Sequence, residues 1–261
     1  MMKEDAFNRK FFQKSVSIGS CLALIALVFY LVPAAGLADS PSNAEITAGV
    51  ESHLYHAGIF KHGQVNVQVR NGIATLTGTV NSYGEKLHAV RAARHQNGVR
   101  EVADDITVSP SGVTPQQILQ KARYNVLTYP FYTIFDHITL KAQGNDLIVG
   151  GQVTEPYKKS DLDHILGNIK GVTYLQNNIK VLPTSDFDDQ IREEVAERIY
   201  GDPMFVNYGN QVNPPIHIIV DNGQVTLYGV VNSKVERMEA QIDARFATTY
   251  FGLKNNLRVV L

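Results

Sequence analysis

Residues 65–80 read VNVQVRNGIATLTGTV, two alternating apolar runs around Asn71-Gly72. Val65, Val67 and Val69 fall on one side, and Ala74, Leu76, Gly78 and Val80 resume the alternation after the turn. Asn and Gly tolerate the positive φ of a tight turn, so the stretch predicts a β-hairpin. The pattern returns twice. A shift of 73 residues lands on Ile138, Leu140 and Ala142, then on Leu147, Val149, Gly151 and Val153. A shift of 151 lands on Ile216, Ile218 and Val220, then on Val225, Leu227, Gly229 and Val231.

Each hairpin has helical periodicity on both sides. Ile46, Val50 and Leu54 recur every four residues before the first, and Ser42 or Asn43 can cap that helix. A second helix is predicted over about 84–96, with Leu87, Ala89, Val90, Ala92 and Ala93 turned inward and Asn97-Gly98 ending it. Val99, Val102, Ile106 and Val108 lead into a third strand. The second repeat opens on Thr114-Pro115-Gln116-Gln117, a cap, a first-turn proline and a capping-box glutamine. Its 73-residue spacing then holds through Gly171-Val172, Ile179 and Val181. In the third repeat Ile191, Val195 and Ile199 need a shift of 145, whereas the hairpin needs 151. About six residues are therefore inserted within 201–215, where Gly201, Pro203, Gly209, Pro214 and Pro215 suit a loop. Met238, Ala240, Ile242 and Ala244 mark its second helix.

The expected fold is α+β. Three tandem small domains each run helix–strand–strand–helix–strand, with two helices packed on a three-stranded mixed sheet. A right-handed crossover should make the last strand parallel to its neighbour. The expected divisions are 1–38, 39–109, 113–182 and 185–261. Gly78, Gly151 and Gly229 form one column; the expected cause is a helix packed closely over the sheet, with ligand approach as the alternative.

The first of these segments carries Lys3, Arg9, Lys10 and Lys14 ahead of a nearly uncharged apolar run over 15–37. It reads as a signal peptide, with Gly36-Leu37-Ala38 as a cleavage site, or as a retained anchor. Either reading places the body in a periplasm or its equivalent. Cys21, the only cysteine, lies in that run, so the body can hold no disulfide. Formal net charge is -1, which gives no sign of nucleic-acid binding.

The run IATLTGTV with Gly78, then Ala89, Gly98-Val99 and Val102–Asp105–Ile106–Val108, resembles the BON domain, named for bacterial osmotically inducible and nodulation proteins. VTLYGVV with Gly229, Ala240 and Asn256-Leu257 is similar to a second copy. Leu147–Val153 with Gly171-Val172 and Asn178-Ile179 fits more loosely, and its Gly144-Asn145 turn and Asp146 depart from the pattern. The resemblance implies an exported, envelope-associated, non-enzymatic protein. It also implies phospholipid binding, and in some relatives osmotic-stress protection or a place in secretins and channels.

The sequence shows no Gly-rich phosphate loop, no His-Glu-x-x-His and no cysteine centre. Neither catalytic residues nor a cofactor are expected. His53 and His56 could share a helix face, with His62 nearby, as could His88 and His95; solvated helix histidines are the better account, and no metal site is assigned. Asp104-Asp105 returns as Asn177-Asn178 and Asn255-Asn256, which argues for a local backbone role rather than a repeated metal site. Basic residues mark all three second helices: Lys86, Arg91 and Arg94; Lys158, Lys159 and Lys170; Lys234, Arg237 and Arg245. The candidate surface for lipid or a partner is Tyr129, Phe131, Tyr132 and Phe135 with Lys158 and Lys159. Those aromatics either enter a lipid interface or pack against core and neighbouring repeat. The partner expected is an anionic phospholipid surface, or alternatively another envelope protein for which the chain is an adaptor.

Overall fold

The computed structural model describes residues 41–61, 63–109 and 112–260. Residues 1–40, Cys21 among them, and His62 lie outside the described residues, and with them the signal-peptide or anchor reading. The first module comprises α1 (Asn43–His56), β1 (Gln64–Arg70), β2 (Ile73–Val80), α2 (Tyr83–Arg94) and β3 (Glu101–Val108). The second comprises α3 (Pro115–Leu127), β4 (His137–Gln143), β5 (Asp146–Val153), α4 (Pro156–Gly167), β6 (Tyr174–Asn177) and β7 (Lys180–Val181). The third comprises α5 (Asp186–Gly201), α6 (Val206–Gly209), β8 (Ile216–Asp221), β9 (Gln224–Val231), α7 (Lys234–Ala247) and β10 (Gly252–Val259).

Local chemistry sets the ends of these elements. Ser42, not Asn43, caps α1, in a capping box with Glu45. Thr114 and Gln117 form the same box at α3, with proline in the first turn. Asn71 and Gly72 both have positive φ, as do Asn222 and Gly223, so both outer hairpins close through turns that only such residues adopt easily. In the middle hairpin Gly144 alone is positive. Reversing the residue order thus changes the turn but keeps the two-residue loop, since Gln143 still faces Asp146.

The central strand of each module pairs antiparallel with its hairpin partner and parallel with the last strand. Val67 faces Leu76, and Leu76 faces Asp104. Leu140 faces Val149, and Val149 faces Asn177. Ile218 faces Leu227, and Leu227 faces Asn255. The sequence shifts are therefore also the sheet registers. A break at Asn178-Ile179 splits the last strand of the middle module, yet Val153 still meets Val181 as Val80 meets Val108.

Asp104, Asn177 and Asn255 do the same work in each module. The side-chain oxygen accepts from the backbone N–H two residues on, at Ile106, Ile179 and Leu257. The rest of the side chain reaches the second helix: Asp104 pairs with Lys86, Asn177 donates to Asp163, and Asn255 donates to Gln241. A carboxylate and two amides suffice alike because the shared requirement is one local acceptor.

The glycine column has a different cause from the one expected. Gly78, Gly151 and Gly229 have φ of 121°, 108° and 126°. A Cβ at each would fall well inside contact distance of a backbone carbonyl oxygen at the start of the hairpin partner strand, at Gln64, His137 and Pro215 respectively. Backbone approach within the sheet, rather than a helix above it, excludes a side chain.

Each module has its own core. Leu54, Leu76 and Ala89 are buried in the first, Ile118, Leu147 and Leu162 in the second, and Ile191, Leu227 and Ala240 in the third. Complete burial of one such leucine or isoleucine contributes about 1.5–3 kcal/mol. The insertion in the third module is more than a loop. It forms α6, and Phe205 just before it is fully buried in that core. Tyr200 donates its hydroxyl to Ile216 O at 2.5 Å and accepts from Ile216 N at 3.2 Å, tying α5 to the start of β8.

Candidate binding surfaces

The aromatic segment of the middle module follows α3 and runs into β4, and the structure divides it. Tyr129 is buried in the core, and its hydroxyl donates to Asp161 at 2.5 Å. Burial and that carboxylate push the phenol well above its usual range. Ile134 and Phe135 pack on the core of the third module, and Ile218 N donates to Ile134 O at 2.7 Å. Tyr132 lies half-buried against His217, with ring centroids 5.4 Å apart. Phe131 alone of the four expected aromatics is largely exposed, touching Tyr129 and the exposed Tyr157 edge-on. The group is therefore not one surface. Most of it is core and inter-module packing.

Lys158 also differs from expectation. It is 5% exposed, and its Nζ donates to Asp136 at 2.7 Å and to Thr154 at 2.8 Å. Asp136 is fully buried and further accepts from Thr133 and Thr154. A lysine spent on a buried carboxylate has no charge to offer a headgroup. Lys159 keeps a half-exposed side chain.

The first two modules meet through their second helices. Tyr83 N donates to Val172 O at 2.9 Å, and Gly171 N to Asn81 O at 2.8 Å. Gly84 lies against Asn168, leaving no room for a Cβ. His88 Nε2 and His164 Nε2 are 3.0 Å apart. The pairs 84–168 and 88–164 run in opposite directions along α2 and α4, so the helices pack antiparallel through corresponding outer faces. His88 is therefore an inter-module residue. His53 Nδ1 lies 3.3 Å from Ala92 O, and His56 is exposed.

The corresponding face of α7 is uncovered. Val235, Met238, Ile242 and Phe246 are 59%, 62%, 42% and 72% exposed, while Ala240 and Ala244 on the other side enter the core. The expected helix markers Met238, Ala240, Ile242 and Ala244 thus belong to two opposite faces, because residues two apart on a helix do not share one. Lys234, Arg237 and Arg245 are exposed on the same helix. Sequence reading named these cations but missed the stripe. Its signal was the spacing 235, 238, 242 and 246. Among the described residues no helix is long and apolar enough to cross a membrane.

The BON domain family model matches residues 42–110 and 187–259, together more than half of the chain. The chain belongs to the BON domain family. The two matched regions are the first and third modules; the middle module repeats their topology and register. The BON domain is a non-catalytic module, and two such regions make up more than half of this chain. An uncharacterized protein from the gshII 5′ region of Anaplasma centrale is 36% identical over 76 residues, 29% of this chain and 49% of that protein. The BON protein thus spans about half the length of this curated relative. Among solved structures it is similar to CdsD, a structural protein of the type III secretion system of Chlamydia trachomatis, at 16% identity and a TM-score of 0.25. That match covers 82% of this chain and 91% of CdsD. The periplasmic domain of PrgH from S. typhimurium gives 12% identity and a TM-score of 0.19, over 79% and 98% of the two chains.

Proposed function

We propose that this is a cell-envelope protein on the periplasmic side that associates with anionic phospholipid surfaces through its tandem BON domains, the middle one a divergent copy. The single observation that carries the reading is the outer face of α7 in the third domain. Four exposed apolar side chains run along it, with Lys234 and Arg245 on one flank. Apolar side chains entering the acyl boundary beside cations at headgroup level is the arrangement of an interfacial helix. Phe131 and Tyr157, with Lys159 on the same domain as that pair, offer a smaller second contact. Weak contacts on linked domains add through effective concentration.

The test is co-sedimentation of the full chain with vesicles of phosphatidylcholine, with and without phosphatidylglycerol. Binding should require the anionic lipid, weaken as salt rises and fall strongly in the I242E/F246E variant. Equal binding by that variant would remove α7 from the contact.

One observation favours the adaptor reading. The corresponding faces of α2 and α4 pair with each other within this chain. The α7 face could accept a helix of another envelope protein in the same way. Vesicle binding absent at all salt concentrations, with α7-dependent capture of a defined envelope protein, would select that function.

A further inference from the structure

Asp243 is anomalous. It stands on α7 at the position held by Ala92 in α2 and Ile165 in α4, where an apolar side chain is the rule. It is 1% exposed, and its Oδ2 has no hydrogen-bond partner. Its other oxygen meets Arg198 Nε at 3.3 Å. A buried carboxylate oxygen without a partner costs stability unless something supplies positive charge. Asp202 and Glu239 turn toward the same place, and one oxygen from each of the three lies within 4.8 Å of the others. Burial, then the charge of Asp202, raises the Asp243 carboxyl above its usual range, with Arg198 opposing.

We propose that Asp202, Glu239 and Asp243 bind a divalent cation, Ca²⁺, and that the ion fastens the inserted segment of the third domain to α7. The donor set is hard oxygen only, which suits Ca²⁺ or Mg²⁺ rather than a thiolate- or imidazole-seeking metal. Ca²⁺–oxygen bonds of about 2.3–2.6 Å put two oxygens on opposite sides of one ion about 5 Å apart, so small side-chain rotations bring these three atoms onto a shared ion. Irregular geometry, with water completing the shell, favours Ca²⁺ over the stricter Mg²⁺. The elements converge for identifiable reasons. Glu239 and Asp243 are one turn apart on α7. Asp202 ends α5, and its Oδ1 accepts from Met204 N at 2.7 Å, which fixes the carboxylate at the mouth of the insertion. A cleft of about 550 Å³ reaches Asp202 and Asp243 and is lined further by Glu194 and Glu197, giving an acidic approach. The first two modules have His88 and Asp161 at the Glu239 position, no acid at the Asp243 position and no insertion.

The experiment is calorimetric titration of the full chain, first stripped with chelator, with CaCl₂ and separately with MgCl₂. One saturable Ca²⁺ site is expected, with a dissociation constant of about 10⁻⁴–10⁻³ M as in other exported modules. The melting temperature should rise on adding Ca²⁺. D243N and E239Q should lose both the heat and the rise. D243A, which restores the residue of the first module, should lose the Ca²⁺ response while melting higher than the unsubstituted chain in chelator. This variant separates loss of binding from failure to fold. No saturable heat with Ca²⁺, saturation by Mg²⁺ alone, or unchanged Ca²⁺ binding in D243N would each overturn the proposal.

Discussion

Replacing Lys158 by methionine keeps an unbranched apolar stem, one atom shorter, and removes the charge. Asp136 would then be left fully buried without its ion partner. Breaking a buried pair from one side costs about 3–5 kcal/mol, because the remaining charge stays out of water. Here the carboxylate retains bonds from Thr133 N at 2.9 Å, Thr133 Oγ1 at 2.9 Å, Thr154 N at 3.0 Å and Thr154 Oγ1 at 3.3 Å. Those donors hold the loss near the lower end, about 3 kcal/mol. K159M is the control. Lys159 is half-exposed and its side chain makes no ion pair among the described residues, so the change should stay within about 0.5 kcal/mol. Urea unfolding followed by circular dichroism reads the difference. With a slope of about 1–3 kcal/mol/M, the K158M transition of the middle module should move down by about 1–3 M. Coincident midpoints for K158M and K159M would refute the burial of this pair. The consequence reaches the neighbouring module, since Asp136 holds the segment that places Ile134 and Phe135 against the third core.

Gly229→Ala should cost about 2 kcal/mol or more, since alanine would have to adopt φ 126° against the Pro215 carbonyl; chemical denaturation of the variant checks it. Gly84→Leu should part α2 from α4 at Asn168 while the separate cores remain folded. Faster amide exchange at Tyr83 and Gly171 is the expected sign, and unchanged exchange would count against that interface. Acid should weaken the inter-module contacts. Burial pushes His137 down to about 4 and lowers His217 and His88, so the folded protein holds these imidazoles neutral. An unfolded histidine takes up its proton near 6.5, so stability is full above that pH and falls as pH drops toward 4. Melting temperatures recorded from pH 7 to 5, above most carboxylate titration, should fall with acid, less steeply in His137→Gln. A flat profile would show that these histidines are solvated.

The hairpins, their turns and the Thr114 helix start were open to sequence reading because each rests on neighbours in the chain. Asn71-Gly72 and Asn222-Gly223 carry their positive φ wherever the hairpin sits, and Thr114 finds Gln117 within one helical turn. The 73- and 151-residue shifts carried the sheet registers as well, since one slipped residue would turn every apolar side chain to the wrong face. The candidate surface was harder. Tyr129, Tyr132 and Phe135 have the composition of a membrane edge and the environment of a core and an interface. Lys158 reads as a free cation until Asp136, far back in the chain, is brought beneath it. Met238, Ala240, Ile242 and Ala244 read together as marks of one helix, yet only Ala240 and Ala244 face the core.

Alternation, capping and turn chemistry thus established three domains of one topology, because those effects act over a few residues and need no distant partner. Which aromatic is wet, which lysine is paired, and why Asp243 faces Asp202 and Glu239 were settled by tertiary packing. Solvent exclusion and charge pairing depend on what lies across space, and the distances along the chain that separate those partners leave no local pattern.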